Sequence, residues 1–94
     1  MSILIVGGDR LGNIPNNLKD HGFSEIKHLS GRKIGHMAVD LPCEVDVVLV
    51  FTDCVSHGLA VKVKKDAQKR GVKTIFARRS WVHVAKAWQA FKTG

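Results

Sequence analysis

Long apolar runs are missing from this 94-residue sequence, which excludes a membrane-spanning helix and leaves no membrane partner expected. The amino terminus passes from Met1-Ser2 straight into Ile3-Leu4-Ile5-Val6 with no basic leader, so no secretory signal is expected and the chain reads as cytoplasmic. Cysteine is scarce. Cys43 and Cys54 fit neither a paired zinc spacing nor a thioredoxin motif, and two reduced thiols are the expectation in a cytoplasmic chain. Two prolines and nine glycines are too few for a disordered chain, and no repeat, linker or low-complexity segment divides the sequence. Acidic residues are also short: eight Asp plus Glu against fifteen Lys plus Arg give +7. That surplus favours anionic partners without choosing among nucleic acid, nucleotides, haem propionates and a membrane surface.

What is present is the composition of an ordinary globular domain, 45% apolar and 24% charged. A chain this short buries only about 60 to 65% of its unfolded surface, so close packing or a partner is needed, and a homodimer is expected. The chain is organised around residues 45–57, an apolar, Val-rich run that stops abruptly in Thr52-Asp53-Cys54-Val55-Ser56-His57. The run has the length of a buried strand and reads as the centre of a sheet covered on both faces. Residues 3–6 form a second unbroken apolar strand, closed by Gly7-Gly8-Asp9-Arg10, whose glycines permit a tight turn and close backbone approach.

Pro15 suits a first helical turn and Gly22 the position past a helix end, with Leu11, Ile14 and Leu18 as a thin apolar stripe. Residues 23–29 are polar at most positions and read as an edge strand. Next come Ser30-Gly31-Arg32-Lys33 and one or two helical turns over 34–39, in a connection long enough for a parallel crossover. Ser56 suits the N-cap of a helix whose Leu59, Ala60, Val63 and Ala67 share a face, while Lys62, Lys64, Lys65, Lys69 and Arg70 fall elsewhere. Residues 72–77 are a fourth strand with Arg78-Arg79 at its exit. Ser80 then caps a last helix striped by Trp81, Val84, Ala85, Trp88 and Phe91.

This alternation predicts an α/β fold, a small Rossmann-like or flavodoxin-like parallel sheet of four strands with right-handed crossovers and helices on both faces. The first and third strands, apolar on both sides, belong in the middle and the mixed second and fourth at the edges, giving order 2-1-3-4. Ligands of open α/β sheets bind beyond the carboxyl ends of the strands where the order reverses, here between the first and third. Residues 7–10 and 52–57 are therefore expected to line one crevice.

Ile-Leu-Ile-Val-Gly-Gly-Asp-Arg at 3–10, Ser-Gly-Arg-Lys at 30–33, Thr-Asp-Cys-Val-Ser-His at 52–57 and Phe-Ala-Arg-Arg-Ser at 76–80 together resemble a bacterial family, domain of unknown function 2325. The resemblance spans nearly the whole chain, and its most distinctive pieces are the Gly-Gly turn and the Ser56-His57 pair. It implies a small α/β domain and carries no assigned chemistry; Cys54 is not part of the family pattern it rests on.

The residues themselves offer several chemistries. Gly7, Gly8, Asp9 and Arg10 lie between a strand and a helix, where free N–H groups and an arginine can hold an anion. A dinucleotide fingerprint would need glycine at position 9, which is Asp, and no Gly-Lys-Ser/Thr follows for a P-loop. Arg32, Arg78 and Arg79, with Lys33, project from the same set of loops and suit phosphate or carboxylate groups. Thr52, Ser56 and His57 add hydrogen-bonding groups at the exit of the central strand. His57 and His28 are expected on one rim, and with Cys54 they form the alternative of a haem or transition-metal site. Cys54 and His57 do not make a cysteine phosphatase loop, since position 60 is Ala rather than Arg. His21, His36 and His83 read as surface residues, Lys62, Lys64 and Lys65 as the wet face of a helix, and Trp81 and Trp88 as core or dimer contacts.

The expectation is a ligand-binding module, with a regulatory role left open, that holds a small anionic and phosphate-bearing ligand through Gly7, Gly8, Asp9, Arg10, Thr52, Ser56, His57, Arg32, Arg78 and Arg79. The alternatives are haem or metal ligation through His57, His28 and Cys54, and a basic nucleic-acid-binding module. No acid, base and nucleophile set for an enzyme is evident.

Overall fold

Every residue of strand β1 (Ser2–Val6) and of strand β3 (Val47–Phe51) is buried, as two runs with no polar face require. They lie side by side in parallel, Ile3 opposite Val47 and Val6 opposite Val50. Strand β2 (Glu25–Leu29) pairs with the other side of β1, and β4 (Lys73–Ala77) with the other side of β3, both parallel. The order is β2-β1-β3-β4, as the polarity of the four runs predicts. The computed structural model describes residues 1–8, 11–29 and 45–93, so the expected helical turns over 34–39 lie outside the described residues.

Three strands start later than the hydrophobic pattern suggests, β4 by one residue at Lys73 and the other two by two. β2 begins at Glu25, because Phe23 is drawn off the sheet line into the core against Trp88, ring centroids 5.0 Å apart. β3 begins at Val47, because Asp46 ties the strand entries: its N–H donates to the Ser2 carbonyl at 3.0 Å, and its carboxylate accepts the Ser2 N–H at 2.8 Å.

Helices α1 (Ile14–Asp20) and α3 (Trp81–Thr93) cover one face of the sheet, burying Ile14, Leu18, Val84 and Trp88 on Ile3, Ile5, Val47, Leu49, Phe51 and Ile75. Trp88 is 8% exposed and also stacks on Phe91, so it is a core residue. Pro15 sits in the first turn of α1, and His21 closes it with its ring edge on Trp81. Helix α2 (His57–Lys69) covers the other face through Val63 and Ala67, which pack on Leu4, Val6, Val48 and Val50. Its lysines, Lys62, Lys64, Lys65 and Lys69, are exposed as expected of a solvated helix face. No described helix is long and apolar enough to cross a membrane.

Right-handed crossovers explain the two-sided arrangement. The step from β1 to β2 and the step from β3 to β4 run in opposite directions across the sheet, so their helices must lie on opposite faces. The same reversal makes the carboxyl ends of β1 and β3 the place where two loops part.

Candidate functional site

At the end of β1 the chain turns through Gly7 and Gly8 at φ +104° and +81°, a region where a Cβ is costly. The turn is held from β2: Gly7 N–H donates to the Leu29 carbonyl at 2.8 Å, and His28 Nε2 lies 3.0 Å from the Gly7 carbonyl. A carbonyl only accepts, so His28 Nε2 is the donor of this bond. A Cβ on Gly7 would stand 2.7 Å from Val55 Cγ1 and 3.3 Å from Cys54 Cβ. On Gly8 it would stand 3.2 Å from Arg79 Cδ and 3.8 Å from Cys54 Sγ. The exits of β1, β3 and β4 therefore touch at one edge of the sheet, and the missing side chains are what let them.

Asp53 fastens this edge. Its carboxylate accepts the Arg79 backbone N–H at 2.9 Å, joining the exit of β3 to that of β4, and the Cys54 thiol lies 3.6 Å away. Burial opposes its charge. The N–H groups of Arg79 and of Asp53 itself, the thiol and the Arg79 guanidinium together outweigh that and hold the carboxyl below its usual range. Asp53 was not among the residues the sequence singled out. The signal was available: in a parallel pair the exits of neighbouring strands are adjacent, and an acidic residue in one exit can accept the other's orphan N–H groups.

Ser56 begins α2 as expected, its hydroxyl accepting the Leu59 N–H at 3.1 Å. His57 is exposed in the first turn. Two hollows open at this edge among the described residues. One, of about 310 Å³, lies on the α1/α3 face against Leu11, Asn13, Arg79, Ser80 and Trp81. The other, of about 270 Å³, lies on the α2 face against Thr52, His57, Lys64 and Phe76. Cys54 and Val55 form the wall between them, Cys54 packing with the core of the first face and Val55 with that of the second.

The structure thus brings Gly7, Gly8, Cys54 and Arg79 together, and places Thr52 and His57 with one another across that wall. Arg78 is exposed at the exit of β4. Asp9, Arg10, Arg32, Lys33, His36 and Cys43 lie outside the described residues.

A family model for an uncharacterized protein conserved in bacteria, DUF2325, matches residues 2–91, nearly the whole chain. The chain belongs to this family. No curated protein and no solved structure matches it. The Gly-Gly turn and the Ser56-His57 pair of this DUF2325 chain occupy the two sides of one sheet edge. Among its described residues no three His, Cys, Asp or Glu side chains converge as metal ligands.

Proposed function

We propose that this DUF2325 chain is a small-ligand-binding module whose ligand, anionic and bearing phosphate, sits at the carboxyl edge of the sheet on the α1/α3 side. The observation that carries this reading is the hollow that Arg79 lines beside Gly8, to which its side chain packs so closely that a Cβ would fall 3.2 Å from Arg79 Cδ, at the point where the strand order reverses. Gly8 lets Arg79 pack close to the end of β1, Arg79 and Arg78 supply positive charge, and the first turn of α3 closes the hollow. Arg10 and Arg32 belong to the segments that follow β1 and β2 in sequence and add to the surplus. Thr52, Ser56 and His57 reach only a ligand long enough to cross Cys54 and Val55.

Calorimetric titration with inorganic phosphate, a nucleoside diphosphate and the parent nucleoside tests the reading. Saturable binding of the phosphorylated compounds is expected, weakened roughly 10- to 100-fold by Arg79→Ala, as loss of a charged hydrogen bond of about 1.5–3 kcal/mol implies. Indifference to the phosphate overturns it. So does a Soret band in the purified protein that disappears in His57→Ala, which would establish haem ligation instead.

A further inference from the structure

Helix α2 covers β1 and β3 but leaves the outer strand half bare. Ile75 and Ala77 of β4 point into the core under α3, so Thr74 and Phe76 point to the α2 side. There Phe76 and, across from it on α2, Val61 are each 38% exposed. Between helix and strand runs a groove of two adjoining hollows, about 270 and 310 Å³, which share Phe76 and Lys64 in their walls. His57, Val61, Lys64 and Gln68 recur at three- and four-residue spacing, which puts them on one stripe of α2. Lys73 borders the far end, and among the described residues no acidic one lines either hollow.

The edge itself is open among the described residues. The Ala77 carbonyl accepts the Thr52 N–H at 2.9 Å, so Ala77 faces β3 with both backbone groups, as do Ile75 and Lys73. Thr74 and Phe76 must then direct N–H and C=O outward. An exposed apolar floor, a cationic wall and a row of alternating donors and acceptors stand side by side.

We propose that β4 is a docking edge for an extended peptide segment that adds to the sheet as a fifth strand, with an apolar residue on Phe76 and Val61 and a carboxylate near Lys64. Strand addition uses both the outward N–H and C=O groups, whereas a phosphate backbone offers no donor to the carbonyls. The charge selects an acidic segment. A second copy of this chain would instead bring a net charge of +7 toward the same cationic wall.

The test uses the full chain and three labelled synthetic peptides of alternating character: Glu-Val repeats, the same with Lys for Glu, and a Glu-Val peptide interrupted by proline. A thymidine oligonucleotide is the fourth probe. Fluorescence anisotropy reads affinity, and amide hydrogen exchange reads Thr74 and Phe76 against the already bonded Ile75 and Ala77. Expected is binding of the uninterrupted acidic peptide alone, with new protection at Thr74 and Phe76. About tenfold weakening is expected in Lys64→Glu or Phe76→Ser at unchanged melting temperature. Equal binding of the proline peptide, tighter binding of the oligonucleotide in competition with the acidic peptide, or protection at Thr74 and Phe76 from self-association alone each overturns it. Arg79→Ala leaves this binding intact, so failure of the phosphate site and failure of this edge are read apart.

Discussion

Replacing Gly7 by alanine tests whether the exits of β1 and β3 are pressed together as the geometry states. Gly22 is the control, since φ is +104° at Gly7 and +101° at Gly22, yet a Cβ at Gly22 meets nothing within 4 Å. At both positions the left-handed backbone costs an alanine about 1–2 kcal/mol, and about 0.4–1 kcal/mol returns through the stiffer unfolded chain. Gly22→Ala should therefore lose roughly 1 kcal/mol.

At Gly7 the new carbon would lie 2.7 Å from Val55 Cγ1, roughly 1 Å inside ordinary carbon contact, with Cys54 Cβ at 3.3 Å and the Phe51 carbonyl at 3.5 Å limiting its retreat. Overpacking of this kind adds about 1–3 kcal/mol, so Gly7→Ala should lose roughly 2–4 kcal/mol. With a urea m-value of about 1 kcal/mol/M for a chain of this size, the two midpoints should differ by roughly 1–3 M. Urea unfolding followed by tryptophan fluorescence measures this, because Trp88 is buried in the core. The double variant with Val55→Ala should recover about 1 kcal/mol or more relative to additivity. Equal midpoints for the two glycine variants, or strict additivity with Val55→Ala, would refute the contact and with it the shared edge.

Other outcomes follow from single contacts. Gly8→Ala is tight only against the movable Arg79 side chain, its other neighbours lying at ordinary contact distance, so it should cost about as much stability as Gly22→Ala and yet weaken binding of phosphate compounds in the calorimeter. Ser56→Ala removes the hydroxyl that caps Leu59 N–H and should lower stability by about 1 kcal/mol in urea. Thr74→Val should raise it by about 1 kcal/mol, since the Thr74 hydroxyl is buried without a hydrogen-bond partner among the described residues and valine fills the same shape. Asp53 has a folded pKa below its unfolded value, so its contribution is present above roughly pH 4 and is lost as pH falls through the folded pKa. Asp53→Asn should accordingly be less stable than the parent at pH 7, with the difference shrinking toward pH 3 in urea unfolding at each pH.

The fold was legible because polarity alone separates the strands. Ile3, Leu4, Ile5 and Val6 can be buried on both sides only in the middle of a sheet, while Glu25, Lys27 and Lys73 need an edge. Ser56 as a cap was equally readable, being a local matter of one hydroxyl and one N–H. The site was legible only as an edge. That Gly8 and His57 share the carboxyl end follows from parallel strands, but whether they share a hollow depends on the face to which each following helix turns. Opposite crossover directions could have supplied that from the predicted order, placing α1 and α2 on different faces and the Cys54-Val55 wall between Arg79 and His57. The His28 bond to the Gly7 carbonyl depends on register, Ile5 opposite His28, which no local pattern encodes.

The half-covered β4 follows from the same arithmetic of faces. On the first side α1 and α3 share the sheet, α1 beside β2 and α3 beside β4. On the second side α2 is the helix among the described residues, and its buried anchors, Val63 and Ala67, centre it over β1 and β3. A helix is about 10–12 Å across with its side chains, and neighbouring strands are about 4.8 Å apart, so one helix anchored on β1 and β3 reaches β4 at Thr74, which is buried, and leaves Phe76 exposed. Phe76 is left exposed by geometry, and a large apolar side chain at an open edge is an aggregation hazard unless something manages it. Lys64 and Lys73 beside it are that management. They repel a second copy of the same basic chain, and by the same charge they admit an acidic strand. Neutralising both lysines should therefore raise self-association, measured by sedimentation at low salt, in the same variant that loses the acidic peptide; loss of the peptide without gain of self-association would mean that the two effects have different origins.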